Sequence, residues 1–160
     1  MNQIAANMLF AFIALAWLAA SFWYGGGRKF YYDAEVKRLC AIDGGVNVYE
    51  KVKLPPERFN QHGILNLPLQ RNAKPSDDYF YVSGEMYIET SSDSVTLRRS
   101  SLAIVRRSDG KTLGEMISYH RSGGDPLVIQ LLLPPSSFSC PPTSFGINLE
   151  QPVFLKETDQ

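Results

Sequence analysis

Two histidines, His62 and His120, two cysteines, Cys40 and Cys140, and two arginine pairs, Arg98-Arg99 and Arg106-Arg107, are the side chains of this 160-residue chain best suited to chemistry. A metal site needs several deprotonated donors that converge, and no His or Cys pair here stands at ligand spacing, so neither a metal nor a cofactor is expected. A reactive thiolate needs a basic neighbour. Cys40 has Lys37 and Arg38 nearby, but on adjacent helical positions rather than beside it. No serine stands in a nucleophile-elbow pattern. Ser122-Gly123-Gly124 has neither the lysine nor the following helix of a phosphate cradle. If a hydrolytic or small-ligand site exists, its candidates are His120, Arg121 and Asp125 around the Gly123-Gly124 loop. Asp77-Asp78 reads as a solvated loop, because adjacent extended residues point apart. Asp43 and Asp125, each beside paired glycines, read as turn residues that bond their own backbone.

The arginine pairs lie eight positions apart on one expected strand, which puts Arg98 and Arg106 on one face and Arg99 and Arg107 on the other. One face could then present a basic stripe to lipid phosphates or an acidic partner. Solvated strand charges that discourage edge pairing are the commoner explanation. With 16 basic and 16 acidic residues the chain has no bulk charge to recruit nucleic acid, which is not expected as a partner.

The elements that must position these residues begin with an uncharged leader, since the first charged side chain is Arg28. Residues Ile4 to Tyr24 are apolar apart from Asn7 and Ser21 and, as a helix, span about 30 Å, the thickness of a hydrocarbon core. Trp17, Trp23 and Tyr24 suit a headgroup layer, and Gly25 to Gly27 are expected to break the helix. A cleaved signal would have a basic start and a small-residue end, but no Lys or Arg precedes the apolar run and its small residues are followed by the bulky Phe22, Trp23 and Tyr24. The expected division is therefore a transmembrane anchor over 1–27 and one domain over 28–160.

In that domain Tyr32, Val36, Leu39 and Cys40 share one face of a short helix, Tyr31 to Ile42. Asn47 to Leu54 alternates as a first strand, and Pro55 to Phe59 resembles a one-turn helix followed by loop to Pro75. Tyr79 to Thr90, Val95 to Arg107 and Thr112 to His120 read as a three-stranded meander, with turn chemistry at Ser91 to Ser94 and Ser108-Asp109-Gly110. Leu127 to Leu133 reads as a short final strand, and Pro134-Pro135 and Pro141-Pro142 as an extended surface path around Cys140. The fold class is α+β: a transmembrane helix, then a short helix packed on a four- or five-stranded, mostly antiparallel sheet.

Which side of the membrane carries the domain is contested by two signals. Arg28, Lys29, Lys37 and Arg38 follow the helix closely, and the positive-inside rule would keep them in the cytoplasm. The even cysteine count points the other way, since a bridge would close a loop of about 100 residues, although two unrelated buried thiols fit as well.

The segments Cys40-Ala41-Ile42-Asp43-Gly44-Gly45, Val48 to Pro55, Arg106 to Glu115, Gly123-Gly124-Asp125 and Pro135-Ser136-Ser137-Phe138-Ser139-Cys140-Pro141 resemble those of uncharacterised bacterial exported or membrane-attached proteins. The resemblance spans most of the domain, with Leu127 to Pro134 departing from it. It implies an extracytoplasmic setting and a Cys40–Cys140 disulfide, and no activity. The expected role is a non-enzymatic interaction or structural module of the bacterial envelope. It would be held in the inner membrane by one helix with its domain in the periplasm, and another envelope protein would be its partner. A hydrolase or small-ligand-binding domain, and a cytoplasmic regulatory domain with free thiols, are the alternatives.

Overall fold

The computed structural model describes residues 3–90, 95–141 and 149–157; the turn expected at Ser91 to Ser94 and the second proline of Pro141-Pro142 lie outside them. Helix α1, Gln3–Phe22, is apolar on every side, and none of its residues is buried. It is long and apolar enough to cross a membrane.

The glycines after α1 do not break the helix as the sequence suggested. Trp23–Gly27 forms a π-helical turn kinked at Gly26, whose φ of 129° suits a residue without Cβ, and the chain re-enters helix at once. Helix α2, Arg28–Asp43, is thus mounted directly on α1. Tyr32 and Val36 are its buried apolar residues, and Leu39 and Cys40 pack beside them, the face expected from their spacing.

Three 12-residue strands form the expected meander: β3 (Tyr79–Thr90), β4 (Val95–Arg106) and β5 (Thr112–Gly123). The far edge of β5 takes two short antiparallel strands, β1 (Gly45–Val48) and β6 (Ser137–Cys140), completing a five-stranded sheet. The extended path expected before Cys140 is therefore partly a sheet strand. A separate parallel pair joins β2 (Val52–Leu54) to β7 (Phe154–Lys156), which follows the short helix α4 (Glu150–Val153).

The two sheet faces are covered at opposite ends. Helix α2 and β6 cover Leu97, Ile117 and Tyr119. On the other face Ile104 packs with Leu65, Leu149, Val153 and Phe154, joined by Tyr79 and Tyr81. The Tyr81 hydroxyl donates to Glu150, tying α4 to β3.

The single strand expected over Asn47 to Leu54 is split. An extra residue in β5 opposite Ile104/Val105 makes a bulge at Leu113, and its carbonyl accepts both the Tyr49 and Glu50 amides at 2.8 and 3.0 Å. That turn swings Glu50 onto Arg106 at 2.7 Å and Lys111 at 2.6 Å. Hydrogen bonds from Arg106, then from Lys111, hold the Glu50 carboxyl down from 4.5 to about 2. A depressed carboxyl stabilises the fold fully above its unfolded value near 4.5 and loses that contribution as pH falls through about 2. An NMR titration of the Glu50 carboxyl is expected to show its midpoint near 2. A midpoint at the ordinary 4.5 would show the clamp does not form.

Leu127 to Leu133 is not a strand. It forms helix α3, Leu127–Leu132, opened by Pro126, whose fixed φ of −54° and carbonyl, bonded by Ile129 N–H at 2.9 Å, start the first turn.

Candidate functional site

Cys40 closes the last turn of α2 and Cys140 ends β6, opposite Tyr119 in β5. The two are bonded, with Cα atoms 6.0 Å apart at a separation of 100 positions in sequence. The bridge locks α2 to the edge of the sheet. Beside it Asp43 accepts from the Tyr119 hydroxyl at 2.6 Å and from Arg99 at 3.3 Å. Burial, then the Asp43 carboxylate, pushes the Tyr119 phenol above its ordinary value. Asp43 thus makes long-range bonds rather than the local turn expected of it.

At the start of α2 a second lock forms around Arg121, whose side chain is 1% exposed. Its Nε donates to Asp33 at 2.6 Å, and Nη1 donates to the Gly123 carbonyl and to both the carbonyl and hydroxyl of Ser136 at 3.2 Å. Asp125 accepts the Ser136 amide at 2.6 Å and pairs with Lys29 at 3.5 Å. Burial alone would raise the Asp125 carboxyl, but the Ser136 hydroxyl and amide, with Lys29, hold it below its usual range. Gly124 has a φ of +81°, and a Cβ there would meet Val95 at 3.2 Å and the Lys29 backbone at 3.8 Å. The Gly123-Gly124-Asp125 corner therefore sits against the first turn of α2, where α1 ends.

Of the three residues assigned to a ligand site, Arg121 and Asp125 come together through Ser136. His120, their neighbour on β5, faces the opposite side of the sheet. There its ring nitrogen lies 3.0 Å from the Ser118 hydroxyl, and Tyr87, Thr96, Arg98, His120 and Ser122 line an open depression of about 340 Å³. Partial burial, then Arg98, lowers the imidazole pKa, while Glu85 opposes that shift. This depression lies on the face away from α2, at the end of the sheet where Gly124 meets the start of α2. It is a shallow polar surface with one aromatic ring, suited to recognition of a complementary surface rather than to enclosing a reacting group.

The four arginines fall on alternating faces as their spacing implied. Each has an acceptor: Glu85 for Arg98 at 3.2 Å, Asp43 for Arg99 at 3.3 Å, Glu50 and Asp109 for Arg106 at 2.7 and 3.1 Å, and the Asp77 carbonyl for Arg107 at 2.7 Å. Arg107 also lies over the Phe80 ring, 5.0 Å from its centroid. Arg98, Arg99 and Arg106 are thus paired with carboxylates, whereas Arg107 rests on a neutral carbonyl and a ring.

Asp78 pairs with Arg58 at 3.0 Å and Asp77 caps Lys74 at 2.7 Å, consistent with a surface loop. Asp33 and Ser136 were not legible as site residues, because their partner Arg121 is 88 and 15 positions away and nothing in either local pattern marks it. No group of three or more His, Cys, Asp or Glu side chains suited to a metal occurs among the described residues. Set against known protein families, curated proteins and solved structures, the chain matches none.

Proposed function

We propose that the protein is a membrane-anchored, non-enzymatic interaction or structural module of the bacterial cell envelope, with its domain on the periplasmic side of the inner membrane. The observation that carries this reading is α1: 20 residues with none buried against the domain, continuous through one kinked turn with a helix locked to the sheet. A helix that is apolar all round and has none of its residues buried among the described residues calls for an apolar surrounding. The disulfide supports an oxidising compartment, since such bonds are rare where thioredoxin and glutathione keep thiols reduced. The face around Tyr87, Arg98 and His120, open among the described residues, offers another envelope protein an aromatic ring, an arginine and hydrogen-bonding groups.

The full chain is expected to stay with membranes through an alkaline carbonate wash and to give an intact mass that still includes residues 1–27. A variant lacking 1–27 should be recovered as a soluble, folded domain. Release of the full chain by carbonate, or a mass lacking the leader, would exclude the anchor.

A further inference from the structure

Among the described residues of the domain, α3 and Leu133 just after it carry the largest run of exposed apolar side chains. Ile129, Leu131, Leu132 and Leu133 are 42, 79, 76 and 63% exposed, and Pro126 to Pro135 holds no charged residue. A cluster of that kind on a domain otherwise rich in paired charges marks a contact surface. Its place identifies the partner. Gly124 packs on the Lys29 backbone and Asp125 pairs with the Lys29 ammonium, so α3 begins three residues, at most about 11 Å of chain, beyond a point that touches the first turn of α2. Lys29 itself follows the turn holding Trp23 and Tyr24, the rings that mark the headgroup layer if α1 spans the bilayer.

We propose that α3 is a second membrane contact: its leucines enter the headgroup and acyl boundary of the bilayer that α1 crosses. The inference rests on reading α1 as the anchor. A short apolar helix at this level lies in the interface plane, its side chains among the first acyl carbons. The Lys29–Asp125 and Asp33–Arg121 pairs then brace the two contacts against each other. The domain is held at a fixed tilt, with the depression around Tyr87 and His120 turned along the membrane instead of swinging on a single tether.

The test uses the full chain in phosphatidylethanolamine and phosphatidylglycerol vesicles, with Cys40 and Cys140 left bonded and a nitroxide placed in turn at Leu132→Cys, Leu15→Cys and Lys51→Cys. Collision with oxygen, which concentrates in lipid, is compared with collision with a water-soluble nickel chelate. The label at 132 is expected to favour oxygen several-fold, with a depth between that of position 15 and the water-exposed position 51. Oxygen preference at 15 with chelate preference at 132 would overturn the second contact and leave the anchor standing. Protection from both probes at 132 would also overturn it, pointing to a second copy of the chain. Chelate preference at 15 would bring down the anchor and this inference together.

Discussion

Replacing Arg121 with methionine is expected to destabilise the domain by about 3 to 5 kcal/mol, measured by urea unfolding of the full chain in mild detergent. The guanidinium is almost wholly buried and bonds Asp33, two backbone carbonyls and the Ser136 hydroxyl. Methionine matches its length but leaves the Asp33 carboxylate with a lost ion pair and the Gly123 and Ser136 carbonyls with a lost donor. Adding Asp33→Leu is expected to return part of the loss, because the uncompensated charge goes while the carbonyls stay unmatched. A single-variant loss below about 1 kcal/mol would mean that the pair is solvated and does not lock α2 to β5.

Removing the bridge with Cys40→Ser and Cys140→Ser is expected to cost about 4 to 5 kcal/mol, the loop-closure entropy of a 100-residue loop. The effect arises mainly in the unfolded chain, which gains freedom once the ends of α2 and β6 part. The urea slope should therefore rise slightly as the midpoint falls. An unchanged midpoint would show that the unfolded chain gains no freedom when the bridge is lost, and would contradict this account.

Period and turn chemistry made much of this fold legible. Tyr79 to Thr90, Val95 to Arg107 and Thr112 to His120 alternate in register with their flanking turns, and the structure keeps all three strands, β5 running on to Gly123. The buried face of α2 follows from the spacing of Tyr32, Val36 and Leu39. The apolar leader needed only its length. Other features depended on contacts between distant segments. Asn47 to Leu54 alternates well enough to read as one strand, yet the bulge at Leu113, set by strand pairing, breaks it into two. Leu127 to Leu133 holds branched residues that suit a strand, but Pro126 starts a turn that carries on into helix, so it coils. Gly25 to Gly27 could end a helix or only kink it, and α2 docking on the sheet made it a kink.

The candidate site was legible only in fragments. Arg121 and Asp125 flank the Gly123-Gly124 corner in space as in sequence, but alternation along β5 sends His120 to the far face, so the three do not meet. Asp33 and Ser136, which complete the lock, are joined to Arg121 only by tertiary packing.

The central proposal, a membrane-held domain on the oxidising side, is tested most directly by thiol labelling in intact cells with a membrane-impermeant maleimide, before and after reduction. Labels at both Cys40 and Cys140, gained only after external reduction, are the expected result. Labels that appear only after lysis, without reductant, would place the domain in the cytoplasm with Arg28, Lys29, Lys37 and Arg38 as its retention signal, and would contradict the proposal.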